Sequence, residues 1–230
     1  MSAAAPAPDT PVVSVAEAIA RMEAIDAALP AADGLACFNR VYLDVTRRIN
    51  SQLSQGFFAD PEFMTQLDVT FANLYFGAAD AAEVPPTWRP LVDRRATAGI
   101  EPVQFALAGL NAHINHDLPL AVVSTCTARA TAPDAGPHFA DYQKVDQLLD
   151  AAEQSIRQSF EDAAELAVDR HLSAVANLIG NWSINSARDL AWNNSLLLWA
   201  IRDVPVARGL FLDSLTASTV LASQLLLVAV

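Results

Sequence analysis

The feature that most constrains this chain is a helical repeat of apolar residues that recurs along its length. In residues 15–29 the apolar side chains fall three or four positions apart, which is the spacing of one face of an α-helix. Ser14 and Glu17 open this stripe in a capping-box pattern. Asp60 and Pro61 are the residue types preferred at the N-cap and first position of a helix. The chain is therefore predicted to fold as a series of helices.

Composition extends this prediction to the whole chain. Apolar residues make up 53% of the 230 residues, glycine occurs only 8 times, and β-branched residues rarely alternate with polar ones, a balance that favours helix over sheet. We predict an all-α, single-domain bundle of about eight helices over residues 14–230, preceded by a disordered Ala/Pro-rich leader over residues 1–13. The helices are expected near residues 14–29, 35–53, 60–75, 87–97, 101–116, 138–177, 181–201 and 205–228.

The net charge and the cysteine content indicate which classes of partner and which cellular compartment to expect. The net charge of -12 would repel nucleic acid and anionic membrane surfaces. Cys37 and Cys126 lack a CxxC spacing, which favours reduced thiols in the cytoplasm. Residues 214–230 carry no charge, but they include several polar side chains and have no basic flank, so we expect a buried C-terminal helix rather than a membrane anchor. The prediction is a soluble, cytoplasmic protein, and homo-oligomers are left open.

The most informative segment is Asn111–Pro119. On a helical wheel, His113, His116 and Asp117 fall in one sector. Gln104, Asn111 and Asn115 lie roughly opposite, with apolar stripes between the two groups. A surface helix has a single polar face. In so apolar a chain, at least one of these two faces should therefore be internal, where polar groups need partners. Pro119 is expected to stop or bend the helix near His116.

The histidine face admits three interpretations. The spacing of His113, His116 and Asp117 can direct three ligand atoms to one divalent metal such as zinc. Without a metal, Asp117 could orient a histidine that acts as a general acid or base. The structural alternative is a helix C-terminus, where histidines suit the helix dipole and Asp117 faces water. His138 and Asp141 share a face and could converge on the same pocket as further metal ligands, or cap a loop.

A second group of residues could bind a substrate. Arg188 and Trp192 lie on one face of an apolar helix and could hold an anion or stack on a ligand, with Asn111 contributing hydrogen bonds. The alternative for Arg188 is a buried ion pair with Asp141, Asp146 or Asp169. His171 stands in a charged stretch and is expected to be solvated. The sequence has no Gly-rich phosphate loop, GxSxG or HExxH motif.

Four segments carry a family resemblance: 36–42, 71–76, 105–119 with its Asn-Ala-His-Ile-Asn element, and 187–192. Together they resemble an uncharacterised family of helical proteins that is common in actinobacteria. This resemblance covers about residues 16–215 and implies a helical fold but no activity. The C-terminal tail departs from the glycine-rich ending of that family. A weaker local likeness, His113 and Asp117 followed by Pro119, is similar to helical zinc-dependent phospholipases C and nucleases, although their further histidines are missing here.

Three functions follow as hypotheses. The first is an enzyme that uses the internal His/Asp site for metal-assisted hydrolysis of an ester or phosphoester. The second is a metal-free cyclase or isomerase of specialised metabolism that acts on a small apolar molecule, with His113 or His116 as general acid or base. The third is a helical domain that binds an apolar ligand, or only builds structure, without catalysis.

Overall fold

The computed structural model describes residues 10–149 and 183–229, and every regular element in those two ranges is helical. The predicted all-α single-domain fold is confirmed. Counting the continuous stretch from α5 to α6 as one helix gives eight helices in the described ranges. The elements are α1 Val15–Ala28, α2 Gly34–Leu53, α3 Pro61–Ala79, α4 Arg89–Arg94, α5 Pro102–Leu110, a π-helix Asn111–Asp117, α6 Leu118–Ala128, α7 over residues 138–149, α8 Ile184–Ala200 and α9 Pro205–Leu226.

The predicted helix starts are set by side-chain caps. The Ser14 hydroxyl accepts a hydrogen bond from the Glu17 amide, and the Asp60 carboxylate accepts one from the Phe63 amide at 2.9 Å. α7 begins at His138, the first residue of the helix predicted over residues 138–177. The rest of the predicted helix 138–177, including His171, lies outside the described residues.

Pro119 was expected to stop or bend the helix near His116, and the stop is wrong. The helix continues through the π-helix into α6, so residues 102–128 form one helical stretch at the centre of the molecule. Pro119 has no N–H for an α-helical hydrogen bond, and its ring would clash with the carbonyl group four residues earlier. The wider π turn, in which the Leu118 amide bonds the His113 carbonyl oxygen, precedes this proline.

Several helices of the described ranges pack against the central stretch. α2 packs along α5, α3 along α6, and both α8 and α9 contact the π-helix. Glycine permits the closest of these approaches, because a Cβ atom on Gly109 would lie 2.4 Å from Cγ of the fully buried Phe38. The π-helix therefore presents side chains inward on both sides.

Both ends of the described chain differ from expectation. Residues 10–13 were assigned to the disordered leader, yet Val12 is buried and its backbone N–H and C=O both bond the Asn73 side chain. At the other end, α9 is not a buried helix. It buries Leu215, Thr219, Ser223 and Leu226, and it exposes large apolar side chains such as Val206 and Leu225. Among the described residues, α9 is the one helix long and apolar enough to cross a membrane, and 22% of its most apolar 18-residue segment is buried.

Candidate functional site

The π-helix brings His113, His116 and Asp117 together on its inner side. Nδ1 of His116 lies 2.9 Å from one Asp117 carboxylate oxygen, and Nδ1 of His113 lies 3.4 Å from the other. The Trp88 indole N–H donates to the Asp117 Oδ2 atom at 2.9 Å. The sequence thus correctly placed the three side chains on one face. The alternative in which Asp117 faces water is wrong, because Asp117 is buried.

Asp117 fixes the hydrogen positions of both histidines. Burial alone would raise the pKa of its carboxyl group, but hydrogen bonds from His113 and His116 hold that pKa below the ordinary value. An ionised carboxylate only accepts hydrogen bonds, so we expect both histidines to carry their hydrogen on Nδ1. The Nε2 atom of His113 then carries no hydrogen, and its lone pair is free to accept a proton.

His113 sits in an aromatic cage. Its ring is stacked on Phe71, with centroids 3.4 Å apart and planes 4° apart, and Tyr42 meets it edge-on at 4.4 Å. Burial lowers the pKa of His113 and outweighs the opposing effect of Asp117. The side chain is therefore a neutral imidazole near pH 7. Its buried Nε2 atom has no hydrogen-bond partner among the described residues.

His113 lines a small apolar cavity between α2, α3, α7 and the π-helix, with a volume of about 60 Å³. Two more buried atoms without a hydrogen-bond partner in the described chain belong to lining residues: the Tyr42 hydroxyl and Oδ2 of Asp68. Burial raises the pKa of Asp68 to about 7 and that of Tyr42 well above its ordinary value. Such unpaired groups are costly in a protein core. The cavity thus combines a free base with a carboxyl group that can donate a proton and a hydroxyl group that can donate a hydrogen bond.

Sequence reasoning gave Tyr42 and Asp68 no role in a site. A usable signal existed: Asp68 interrupts the apolar face of α3 that carries Met64, Leu67 and Phe71. A lone carboxylate on an otherwise buried helix face points to a site rather than to packing.

His138 and Asp141 do not join this site, so the predicted convergence is wrong. His138 stacks on Phe63 at 3.8 Å, and its Nδ1 atom lies 3.0 Å from the carbonyl oxygen of Ala132. Asp141 accepts hydrogen bonds from the amides of Ala59 and Asp60 just before α3, which fits the loop-capping alternative. Over residues 10–149 and 183–229, no three His, Cys, Asp or Glu side chains form a group that could hold a metal ion.

The three predicted substrate-binding residues have structural partners. Arg188 makes the buried ion pair with Asp146 at 2.6 Å that was the alternative interpretation, although its side chain also borders the cavity. Trp192 packs against Tyr142, with ring centroids 4.7 Å apart. Asn111 lies on the opposite side of the π-helix, where it binds the Thr219 carbonyl oxygen at 2.8 Å.

Comparison with known proteins identifies the chain by family alone. No curated protein and no solved structure matches it. The model of one family, described as a family of unknown function (DUF5995), matches residues 15–229 and therefore includes α1 to α9 and every residue of the site. The chain belongs to this family of unknown function.

Proposed function

We propose that this protein is a metal-free enzyme that moves a proton on a small, uncharged, largely apolar molecule held in the His113 cavity. One observation carries the proposal: Tyr42, Asp68 and His113 each have a buried polar atom without a partner in the described chain, and all three line one apolar cavity. A neutral ligand with a carbonyl oxygen and an adjacent C–H bond would satisfy these groups. The reaction class is that of an isomerase or cyclase.

The chemistry pairs a base with an acid. Nε2 of His113 takes a proton from the carbon next to the carbonyl group, and the Asp68 carboxyl group gives its proton to the carbonyl oxygen. The product is a neutral enol, an imidazolium and a carboxylate. The Tyr42 hydroxyl can donate a hydrogen bond to the same oxygen. With a pKa of about 7, Asp68 is half protonated at neutral pH, as a general acid requires.

The proton taken by Nε2 of His113 stays on the cavity side, from which it can return to the ligand, and the Asp117 carboxylate beside Nδ1 stabilises the imidazolium. From Nδ1 of His113, a chain of polar atoms runs through Asp117 to His116 and then to the Thr216 hydroxyl, which lies 3.3 Å from Nε2 of His116. The His116 side chain is 16% exposed, compared with 1% for His113. His116 is thus the point at which this chain meets solvent.

Metal-assisted hydrolysis has less support. The Nδ1 atoms of both histidines contact the Asp117 carboxylate. These nitrogen and oxygen atoms are therefore engaged with one another instead of pointing at a common metal ion. His113 keeps a single free nitrogen atom, inside the cavity. A zinc site normally needs at least three protein ligands.

Exchange of C–H protons in deuterated water tests the proposal, with acetone as a probe small enough for the cavity. Proton NMR should show faster deuterium incorporation with the protein than with buffer. His113→Phe, which keeps an aromatic ring on Phe71, should abolish that acceleration, and Asp68→Asn should reduce it. His138→Phe is the matched control, because His138 also stacks on a phenylalanine but lies outside the cavity.

Two results would contradict the proposal. Equal exchange by wild type and His113→Phe would remove His113 as the base. Acetone that shifts the cavity resonances without exchanging its protons would favour the alternative of a domain that only binds ligand.

A further inference from the structure

A second depression lies across the π-helix from the cavity. This groove runs between the π-helix, α8 and α9, has a volume of about 340 Å³, and shares no lining residue with the cavity. Its walls combine Asn115 and Thr219 with apolar side chains that include Phe211 and Leu215. No residue that lines it in the described chain is charged. The groove is therefore a neutral surface with both polar and apolar parts.

A chain of hydrogen bonds sets the polarity of the groove. The Thr219 carbonyl oxygen can only accept, so Asn111 must present its NH₂ group there, at 2.8 Å. The Asn111 carbonyl oxygen then accepts from the NH₂ group of Asn115 at 2.9 Å. The Oδ1 atom of Asn115 remains, as a buried acceptor that has no partner in the described residues. One wall of the groove thus contains an acceptor atom whose hydrogen bond is unmade within the described ranges.

Thr219 gives a second, independent sign of a ligand. Its side-chain hydroxyl is buried without a partner in the described part of the chain, and the residue is 2% exposed. Threonine hydroxyls on helices commonly bond a carbonyl group of the preceding turn, as Thr46 and Thr127 do here. Thr219 does not, so its hydroxyl is left without a partner in the described chain, beside the groove that the residue lines.

We propose that this groove is a second binding site, for a neutral molecule that carries an amide N–H or a hydroxyl donor beside a small apolar group. The ligand's donor would bond Oδ1 of Asn115, and the Thr219 hydroxyl would form a hydrogen bond with a neighbouring polar atom of the ligand. Phe211 and Leu215 would pack on its apolar part. A charged ligand is disfavoured, since no counter-charge lines the groove. The site does not depend on the proton-transfer activity.

Two probes of similar shape test this site on the wild-type protein. Benzamide carries an N–H donor, and methyl benzoate does not. Benzamide should perturb the side-chain NMR signals of Asn111 and Asn115 and bind about tenfold more tightly than methyl benzoate by calorimetry, the contribution of one buried hydrogen bond. Equal affinities, or no change in either asparagine signal with benzamide, would overturn the proposal.

Variants supply the second arm. Thr219→Val keeps the side-chain shape and the backbone carbonyl group, so it should fold and bind benzamide several-fold more weakly. Asn115→Leu should reduce the affinity about tenfold. Asn193→Leu, the same change at an exposed position outside the groove, should have no effect. Unchanged benzamide affinity in folded Thr219→Val and Asn115→Leu would also refute the site.

Discussion

Replacing Asp68 with asparagine should stabilise the protein at neutral and alkaline pH. Asp68 is 6% exposed, and its Oδ2 atom has no hydrogen-bond partner in the described chain. Burial raises its pKa from the ordinary 3.8 to about 7. The folded protein therefore holds this proton more tightly than the unfolded chain does. The contribution to stability is complete below pH 4 and is lost as the pH rises towards 7.

The size of the effect follows from the two pKa values. A change from 3.8 to about 7 corresponds to about 4 kcal/mol, at about 1.4 kcal/mol for each tenfold change in proton affinity. Asparagine has nearly the same shape and cannot ionise. The difference in free energy of unfolding between Asp68→Asn and wild type should be small at pH 4 and reach about 4 kcal/mol in favour of the variant at pH 8.

Urea unfolding from pH 4 to pH 8, followed by tryptophan fluorescence, measures this difference directly. Subtracting the two curves removes contributions that the proteins share, including that of His113, whose lowered pKa acts in the opposite direction. Asp213→Asn changes the charge equally at an exposed position of α9 and serves as the control. A difference that does not grow with pH, or an Asp68→Asn protein less stable than wild type at pH 8, would refute the reasoning.

Two further predictions concern packing and the Asp117 network. Gly109→Ala should lower the free energy of unfolding by at least about 2 kcal/mol, because its Cβ would overlap the Phe38 ring. Gly77→Ala lies on α3 with open space around it and should raise the free energy of unfolding by about 0.5–1 kcal/mol. Thermal unfolding of both variants checks this, and a similar loss in each would contradict it. Trp88→Phe should cost about 1–3 kcal/mol in urea unfolding followed by circular dichroism, because buried Asp117 loses a donor; unchanged stability would argue against that role.

Part of this site could be read from local sequence. The positions of His113, His116 and Asp117 within one helix decide that they share a face, and the same holds for Asn111 and Asn115. Both polar faces are internal, as so apolar a chain required of at least one. The caps at Ser14 and Asp60 are similarly local, and they begin their helices where expected.

The remainder depends on contacts between distant segments. Tyr42 and Asp68 meet His113 only because α2 and α3 pack beside the π-helix, and no spacing in the sequence encodes that approach. His138 was expected near His113, but its loop is held against α3 by Asp141 and by stacking on Phe63. The π turn was missed because Pro119 indicates that an α-helix is interrupted without indicating how the backbone continues.

The exposed face of α9 escaped prediction for a related reason. An uncharged, largely apolar segment with some polar side chains and no basic flank suggested a buried helix, but burial is decided by how many neighbours the fold supplies. α9 packs through Leu215, Thr219 and Ser223 and leaves Leu221 and Leu225 exposed. Hydropathy indicates how unfavourable it is to expose a helix to water. It does not tell whether other elements of the fold pack against that helix.

The protonation state of His113 tests the central claim most directly. Nitrogen-15 NMR of the histidine rings, titrated from pH 5 to pH 8, should show Nδ1 of His113 carrying the hydrogen and Nε2 unprotonated throughout the neutral range, and acetone should perturb the Nε2 signal. This is the state of a free base that faces a cavity. A His113 ring that is doubly protonated at pH 7, or that carries its hydrogen on Nε2, would contradict the account.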